Sequence, residues 1–513
     1  GGICVVVDVL GTEGHHRSGI GFEQWKLDVM SNKRNRKERR VVRTVVLCVA
    51  MTGMLRLAAQ VGDISRAWSE QDSVMVARIH QQVLGEGRCY EDLRVLCKEV
   101  GPRLSGSPAA DAAIVWGGKT LQAVGAGEVR MQPVIVPHWE RGGLEQAWLR
   151  VNGGEREPLR VAALGGSVGT AGDIEGDVAV FRDFAELDSL GEEGLAGRIA
   201  FFNRPMDPLM INAGSAYGGA YEQRSKGAVE SARHGGMAAL VRSLTHAMDT
   251  FPHTGGMRYD SEVKQVPAAA VSTVDARRIA RLVQDGAEVR VGLNMGCVLH
   301  EDKAQANVIA EWTGTEYPDR YIVVGGHLDS WDIGEGAHDD GAGIVQSIEV
   351  LRALHALGYQ PRHTLRVVLF INEENGNNGG KTYAQRAREQ GEWHVAAVES
   401  DAGGDAPRGY SIDASDAGTA AVRSWQEVLG NYGVGDLRRG GAGVDIGPLK
   451  KEMPAGKRPL MVGLRPNSQR YFDYHHSDRD VFENVHEREL KLGAAALTSM
   501  VYLLDRLNYD SLD

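Results

Sequence analysis

Three short apolar runs punctuate the second half of the chain: Tyr321–Val324, Thr364–Ile371 and His394–Val398. Each is continuous rather than alternating and rich in β-branched residues, the pattern of strands buried on both faces. Between the first two, Ile344, Ile348, Leu351 and Leu354 recur at helical spacing. This alternation predicts a mixed, mostly parallel α/β sheet flanked by helices. Such sheets place ligands at the carboxyl ends of their strands. Upstream, Ser65 to Leu121 is helical in pattern and is interrupted by a loop at Gly101–Pro108, with Asp111 near the start of the second helical stretch. Val129–Val136 has the texture of a strand.

The pattern shifts near Pro137–Trp139. Residues 140–295 are Gly-rich, with short strands expected at Leu159–Leu164, Asp177–Phe181, Arg198–Phe202, Ala238–Val241 and Ala268–Val271, plus one or two helices. We read this stretch as an inserted β-rich domain. Residues 65–139 and 300–513 then form the two parts of the main domain, in which helix–strand alternation resumes near Asn307.

The first sixty residues behave differently. Six basic residues lie between Lys33 and Arg40, followed by an apolar stretch from Thr44 to Leu55 and by small residues at Ala58 and Ala59. That is the order of a secretory signal peptide, and the apolar run is short for a membrane span. Residues 30–60 are therefore expected to direct export to a secreted or periplasmic location; an uncleaved anchor is the alternative. Residues 1–29 precede Met30 and read as an upstream segment outside the fold.

Charge sharpens the picture. The 513 residues carry a formal net charge of −11, and residues 1–60 hold ten basic and five acidic side chains, so the remainder carries −16. Nucleic acid is excluded as a partner, and no second long apolar segment is present to hold the protein in a membrane once the signal is removed. The five cysteines form no CxxC pair, which excludes thiolate zinc sites. Cys89 and Cys97 read as two buried thiols that could pair only in an oxidising compartment.

Each predicted strand is followed by a side chain able to bind metal: His327, then the pair Glu373–Glu374, then Asp401. Asp339 follows His327 at the start of the intervening helix. Near the C-terminus, Tyr474-His475-His476-Ser477-Asp478-Arg479-Asp480 adds histidines. Taken singly these are ordinary residues, since Asp339–Asp340 suits a helix N-cap and Glu-Glu a solvated turn. Their joint position at successive strand ends points to one site. Histidines and carboxylates together suit Zn²⁺ in a hydrolytic centre. Because one zinc needs only three protein ligands, five invite a pair, bridged by a carboxylate with a hydroxide between the ions as nucleophile. One of the adjacent glutamates can bind metal while the other takes a proton from water. Asp329 is placed to orient the His327 imidazole.

The segments GGHLDSWDIGEGAHDDGAG, INEENG, ESDAGG and HHSDRD resemble those of the co-catalytic di-zinc exopeptidases, a family that includes secreted bacterial aminopeptidases and glutamate carboxypeptidase. GPRLSGSP, LGGSVGT, GRIAFFNRP, QRSKGAVESA, ALVRSLT and PHTGG extend the resemblance over roughly 75–510. The resemblance implies that the insertion is a protease-associated domain capping the site. It implies two Zn²⁺ per chain, one held by His327, Asp339 and Asp401, the other by Asp339, Glu374 and His476. It also implies Glu373 as general base and a cis peptide at Asp339–Asp340. The His-Ser/Thr-x-x-Asp pattern selects His476, with Asp480, over His475. Many relatives carry tyrosine where His475 stands, so His475 is a candidate oxyanion donor. Asp445 resembles a family element near the site and receives no role. The implied substrates are dipeptides or short peptides, and a homodimer is compatible with the sequence.

Which end of the peptide is read stays open: a carboxypeptidase needs a cation for the α-carboxylate, and Arg224, Arg258 and Arg465 are candidates. A non-catalytic receptor-like binding protein is the alternative from another class. Two further motifs are rejected. Gly165–Gly169 matches G-x-S-x-G but is followed by no helix pattern, and the GGKT segments at Gly117–Thr120 and Gly379–Thr382 lack the first P-loop glycine.

Overall fold

A computed structural model describes residues 68–512, apart from 126, 192–193 and 455. The signal-like segment and the upstream residues expected at 1–60 lie outside the described residues. Among those described, no helix is long and apolar enough to cross a membrane.

Helices α1 (Glu70–Glu86), α2 (Cys89–Val95) and α3 (Pro108–Ala123) open the described chain. A Ser69–Asp72 capping box starts α1, and Ser107 caps α3 with Pro108 in its first turn. The long strand β1 (Glu128–Glu140) follows. Next come β2 (Gln146–Val151), β3 (Glu157–Pro158), β4 (Val161–Ala163), β5 (Ile174–Phe181), β6 (Arg198–Phe202), helix α4 (Ala213–Arg233), β7 (Ala238–Arg242), β8 (Ala268–Val271), helix α5 (Thr273–Gln284) and β9 (Val289–Asn294). The strands from β2 to β9 make one eight-stranded sheet, in the order β3-β2-β9-β5-β6-β7-β8-β4. Its centre, β5 to β8, is parallel, with antiparallel strands at both sides.

The second eight-stranded sheet uses β1 with β10 (Val298–Trp312), β11 (Tyr317–His327), β12 (His363–Phe370), β13 (Trp393–Glu399), β14 (Pro407–Asp413), β15 (Asp436–Arg439) and β16 (Leu460–Pro466). Its order is β1-β10-β12-β11-β13-β16-β14-β15. The block β12-β11-β13-β16 is parallel, and β1–β10–β12 and β16–β14 are antiparallel, so the sheet is mixed as expected. All eight residues of β12 are buried, which explains its largely apolar sequence, and the one charged residue within it, Arg366, is paired with Glu392 at 2.7 Å.

Helix α6 (Ala342–Ala356) follows β11, α7 (Asn378–Glu389) follows β12, and α8 (Glu487–Asp505) closes the chain. α8 is buried over most of its length because small residues let α6 approach: a Cβ on Gly493 would stand 2.2 Å from Gln346 Nε2. At its end, buried Asp505 accepts hydrogen bonds from the backbone N–H groups of Arg362 and His363, both at 2.8 Å, fixing the start of β12.

The strands expected at 198–202 and 268–271 match β6 and β8, and those at 321–324, 364–371 and 394–398 fall within or on β11, β12 and β13. Cys89 and Cys97 are buried free thiols. Ser167 of the G-x-S-x-G match is 1% exposed, and its hydroxyl donates to the Val168 carbonyl and accepts from Ala268 N–H, a structural pairing.

Candidate metal centre

His327 is the last residue of β11, Glu373 and Glu374 lie just past β12, and Asp401 just past β13, so the parallel block delivers all four to one edge. Asp339 lies in a tight turn between β11 and α6, across a cis Asp339–Asp340 peptide. His476 arrives from the loop after β16, in a left-handed backbone conformation with φ 60°.

Asp339 sits between the two histidines. His327 Nε2 is 3.2 Å from Asp339 Oδ1, and His476 Nε2 is 3.2 Å from Asp339 Oδ2. Each imidazole has a second carboxylate beside it: Asp401 Oδ1 at 3.5 Å from His327 Nε2, and Glu374 Oε2 at 3.2 Å from His476 Nε2. The other ring nitrogens face backbone carbonyls. His327 Nδ1 is 2.9 Å from the Asp329 carbonyl, and His476 Nδ1 is 3.3 Å from both the Thr254 carbonyl and Arg224 Nη1. For His327, donation from Nδ1–H to the carbonyl favours the tautomer that leaves Nε2 as the acceptor or metal-binding atom.

Burial alone would push the Asp339 carboxyl up, but the adjoining His327 and His476 imidazoles outweigh it and hold this group well below the usual range. For Glu373 the outcome is the reverse: burial first, then the Asp401 and Glu374 charges, push it well above the usual range. Burial, with repulsion from Asp339, raises Glu374 to about 7. Asp339 Oδ2 and Glu374 Oε1 are buried without a hydrogen-bond partner. A set of imidazole Nε2 atoms and carboxylates with such vacant acceptor capacity fits a borderline divalent cation such as zinc.

The supporting residues differ in part from expectation. Asp329 orients His327 through its carbonyl; its carboxylate is 3.9 Å from His327 Nδ1 and instead accepts from the Glu373 N–H at 3.1 Å. Asp480 does not reach the His476 ring. It accepts from the His338 and Asp339 N–H groups at 2.7 and 3.1 Å, and so places Asp339. Asp340 is buried and performs the capping expected of an Asp-Asp pair, accepting from Gly343 N–H at 3.0 Å and from His327 N–H at 3.1 Å. Gly343 must be glycine, because a Cβ there would lie 1.8 Å from the Ser400 carbonyl oxygen. The His475 ring stacks on His476 with centroids 3.5 Å apart, and its Nε2 is 3.5 Å from Asp339 Oδ2. Burial and the neighbouring His476 keep His475 neutral, well below its ordinary pKa. Asp445 is fully buried with both carboxylate oxygens unpartnered.

Several contributors escaped sequence reasoning. Arg103, in the loop read only as a break, is fully buried and donates to the carbonyls of Leu328, Glu335 and Gly336 at 2.6, 2.7 and 3.0 Å. It thereby clamps the loop between His327 and Asp339. Ser105 bonds Asn372 and Asn375, which flank the two glutamates. From the other sheet's region, His253 Nδ1 is 2.7 Å from the His475 carbonyl, and Thr254 N–H donates to the His476 carbonyl at 2.8 Å. The motif PHTGG marked this strip only by resemblance.

A cavity of about 1040 Å³ opens over these groups, lined by Asp339, Glu373, Glu374, Asp401, His475 and His476 on one side and by Tyr217, Tyr221, Arg224 and Arg258 on the other. Arg224 is 5% exposed, with its guanidinium 4.9 Å from the Tyr221 ring centroid and 5.3 Å from that of Tyr217. Arg465 lies elsewhere, paired with Asp436 at 3.2 Å.

Comparison with known proteins decides the family. The model of peptidase family M28 matches residues 307–499. Carboxypeptidase Q from Bos taurus is 32% identical over 420 residues, covering 82% of this chain and 85% of that protein; the Homo sapiens protein is 33% identical over the same shares. The chain belongs to peptidase family M28. A solved peptidase M28 precursor from Shewanella amazonensis SB2B superposes with TM-score 0.80 at 31% identity, covering 85% of this chain and 97% of that one. A zinc aminopeptidase from Bacillus subtilis shares the fold, with TM-score 0.56 at 16% identity over 81% of this chain and 94% of that one. As an M28 member the chain is a zinc-dependent exopeptidase, which sets aside a non-catalytic binding role.

Proposed function

We propose that the chain is an exported di-zinc exopeptidase that removes C-terminal residues from dipeptides or short peptides. The observation that carries the di-zinc reading is the symmetry at Asp339, whose two oxygens each face one imidazole Nε2 at 3.2 Å, each backed by a further carboxylate. His327, Asp339 and Asp401 would hold one zinc, and Asp339, Glu374 and His476 the other. When bound, the pair would supply Lewis acidity, polarising the scissile carbonyl and lowering the pKa of water.

The chain's own residues account for the remaining steps. Glu373, with its backbone N–H fixed by Asp329, takes a proton from the attacking water and returns it to the leaving amine. His475, buried and neutral beside the site, is suited to donate to the developing oxyanion. Residues 140–295 would act as the cap, since they supply Tyr217, Tyr221 and Arg224 to the cavity. Export rests on the basic-then-apolar order of residues 30–60.

The C-terminal direction is supported by the carboxypeptidase Q relatives and by Arg224. This guanidinium faces the cavity, and no carboxylate pairs with it among the described residues. A charge-assisted bond to a substrate α-carboxylate contributes about 1.5–3 kcal/mol, or roughly 10- to 150-fold. Because Arg224 Nη1 also lies 3.3 Å from His476 Nδ1, Arg224→Gln should lower kcat/KM by that factor more for dipeptides with a free carboxylate than for C-amidated dipeptides. Equal losses on both substrates would count against the assignment. Metal analysis tests the centre itself. Asp339→Ala should hold two zinc equivalents fewer than the parent, while Asp401→Ala and Glu374→Ala each lose one. Loss of a single equivalent in Asp339→Ala would overturn the shared bridge.

A further inference from the structure

The rim of the cavity is formed partly by a ribbon of β1 and β10, whose outer face carries a second cluster of metal-competent side chains. Pro137 and Trp139 of β1 and Leu299 of β10 line the cavity. Alternation along a strand therefore turns His138, Glu140 and His300 to the opposite face. His138 stands directly across from His300 in the ladder, just past an irregularity between Val136 and His138. Such irregularities re-aim side chains at sheet edges and rims.

The three residues converge on a point. His138 Nε2 is 3.1 Å from Glu140 Oε1, His300 Nε2 is 3.3 Å from Glu140 Oε2, and the two rings stack with centroids 4.6 Å apart. One ligand atom from each of the three lies within 4.8 Å of the others. Two ligands held about 2.0–2.1 Å from a tetrahedral ion lie roughly 3.3 Å from each other, so both His–Glu spacings suit a shared ion. His138 is the half-buried anchor: a Cβ on neighbouring Gly106 would fall 2.9 Å from its Cα, so the loop carrying Ser105 packs directly against it. Glu140 and His300 are more open, with side chains 52% and 40% exposed, leaving water or solute free to complete the coordination.

We propose that His138, Glu140 and His300 form an additional metal site, separate from the catalytic centre, that takes one Zn²⁺. Two imidazoles and one carboxylate are the donor set for a borderline divalent ion, and a hard ion such as Mg²⁺ would find too few oxygens. Occupancy would cross-link β1 to β10 where the ribbon forms the cavity wall. Binding restricted to the folded state then raises stability with zinc concentration.

The test compares the parent protein with two variants at exposed positions, His300→Ala and Glu140→Gln, all with the catalytic centre already zinc-loaded. Titration with Zn²⁺ should show one further equivalent in the parent, accompanied by a rise in Tm. His300→Ala should lose both effects, and Glu140→Gln should bind at least tenfold more weakly, with circular dichroism unchanged in each. Cu²⁺ offered in place of Zn²⁺ should give an electron paramagnetic resonance spectrum with two coupled imidazole nitrogens in the parent and one in His300→Ala. No further equivalent in the parent, or uptake equal in parent and variants, overturns the site and leaves a hydrogen-bonded His–Glu–His cluster. Because the readout is the difference between parent and variant, it does not depend on how many zinc ions the catalytic centre holds.

Discussion

Replacing Glu373 by Gln should lower kcat by about 10²–10⁴-fold while the protein keeps its full metal complement and melting temperature. The amide preserves the side chain's volume but cannot accept a proton at neutral pH. Glu373 is the member of its pair that binds no metal in the proposed centre. Its backbone is held independently, by the bond from its N–H to the Asp329 carboxylate. The substitution therefore separates proton transfer from metal binding, whereas Glu374→Gln, beside His476, should disturb both. Single-turnover kinetics with elemental analysis would check this: a variant that retains zinc and turns over normally would refute the role of Glu373 as base.

The second large effect should come from a residue that touches neither substrate nor metal. Arg103→Met leaves the carbonyls of Leu328, Glu335 and Gly336 buried without their donors. An orphaned buried polar group costs about 1–3 kcal/mol, so a total of roughly 3–5 kcal/mol is expected once partial relaxation is allowed. The loop released runs between His327 and Asp339, so affinity for zinc should fall along with Tm. Thermal melts with and without excess zinc separate the two: added zinc should recover part of the lost stability, and a variant melting like the parent would remove Arg103 from this role.

The two effects differ in how far the sequence foreshadows them. His327, Glu373, Glu374 and Asp401 follow strand segments that are buried and mostly apolar, because a parallel sheet covered on both faces leaves few polar positions to blur the pattern. That regularity makes a position just past such a strand conspicuous. Arg103 has no such signature. Its significance lies in three carbonyls more than 220 residues away, which no local period encodes. The first half of β10, Val298–Gln305, was missed for a related reason: it is largely exposed and polar, and it is a strand because β1 pairs with it. Asp339–Asp340 reads as a helix cap or as a ligand pair, and the structure divides the roles, with Asp340 bonding Gly343 N–H and Asp339 facing both histidines. The cavity position of Arg224 depends on how residues from α4 lie over the strand ends, which is tertiary information.

The Thr254 carbonyl, supplied from the region between β7 and β8, faces Nδ1 of His476, while the Thr254 N–H holds that residue's backbone. The region that lines the cavity thus also positions a residue of the candidate metal centre. Substrate preference and metal affinity are therefore not separable traits in this architecture. A lineage, or an engineer, exchanging this region for one with another preference would have to preserve the His253–Thr254 strip. A graft without it would inherit a new pocket above a weakened centre.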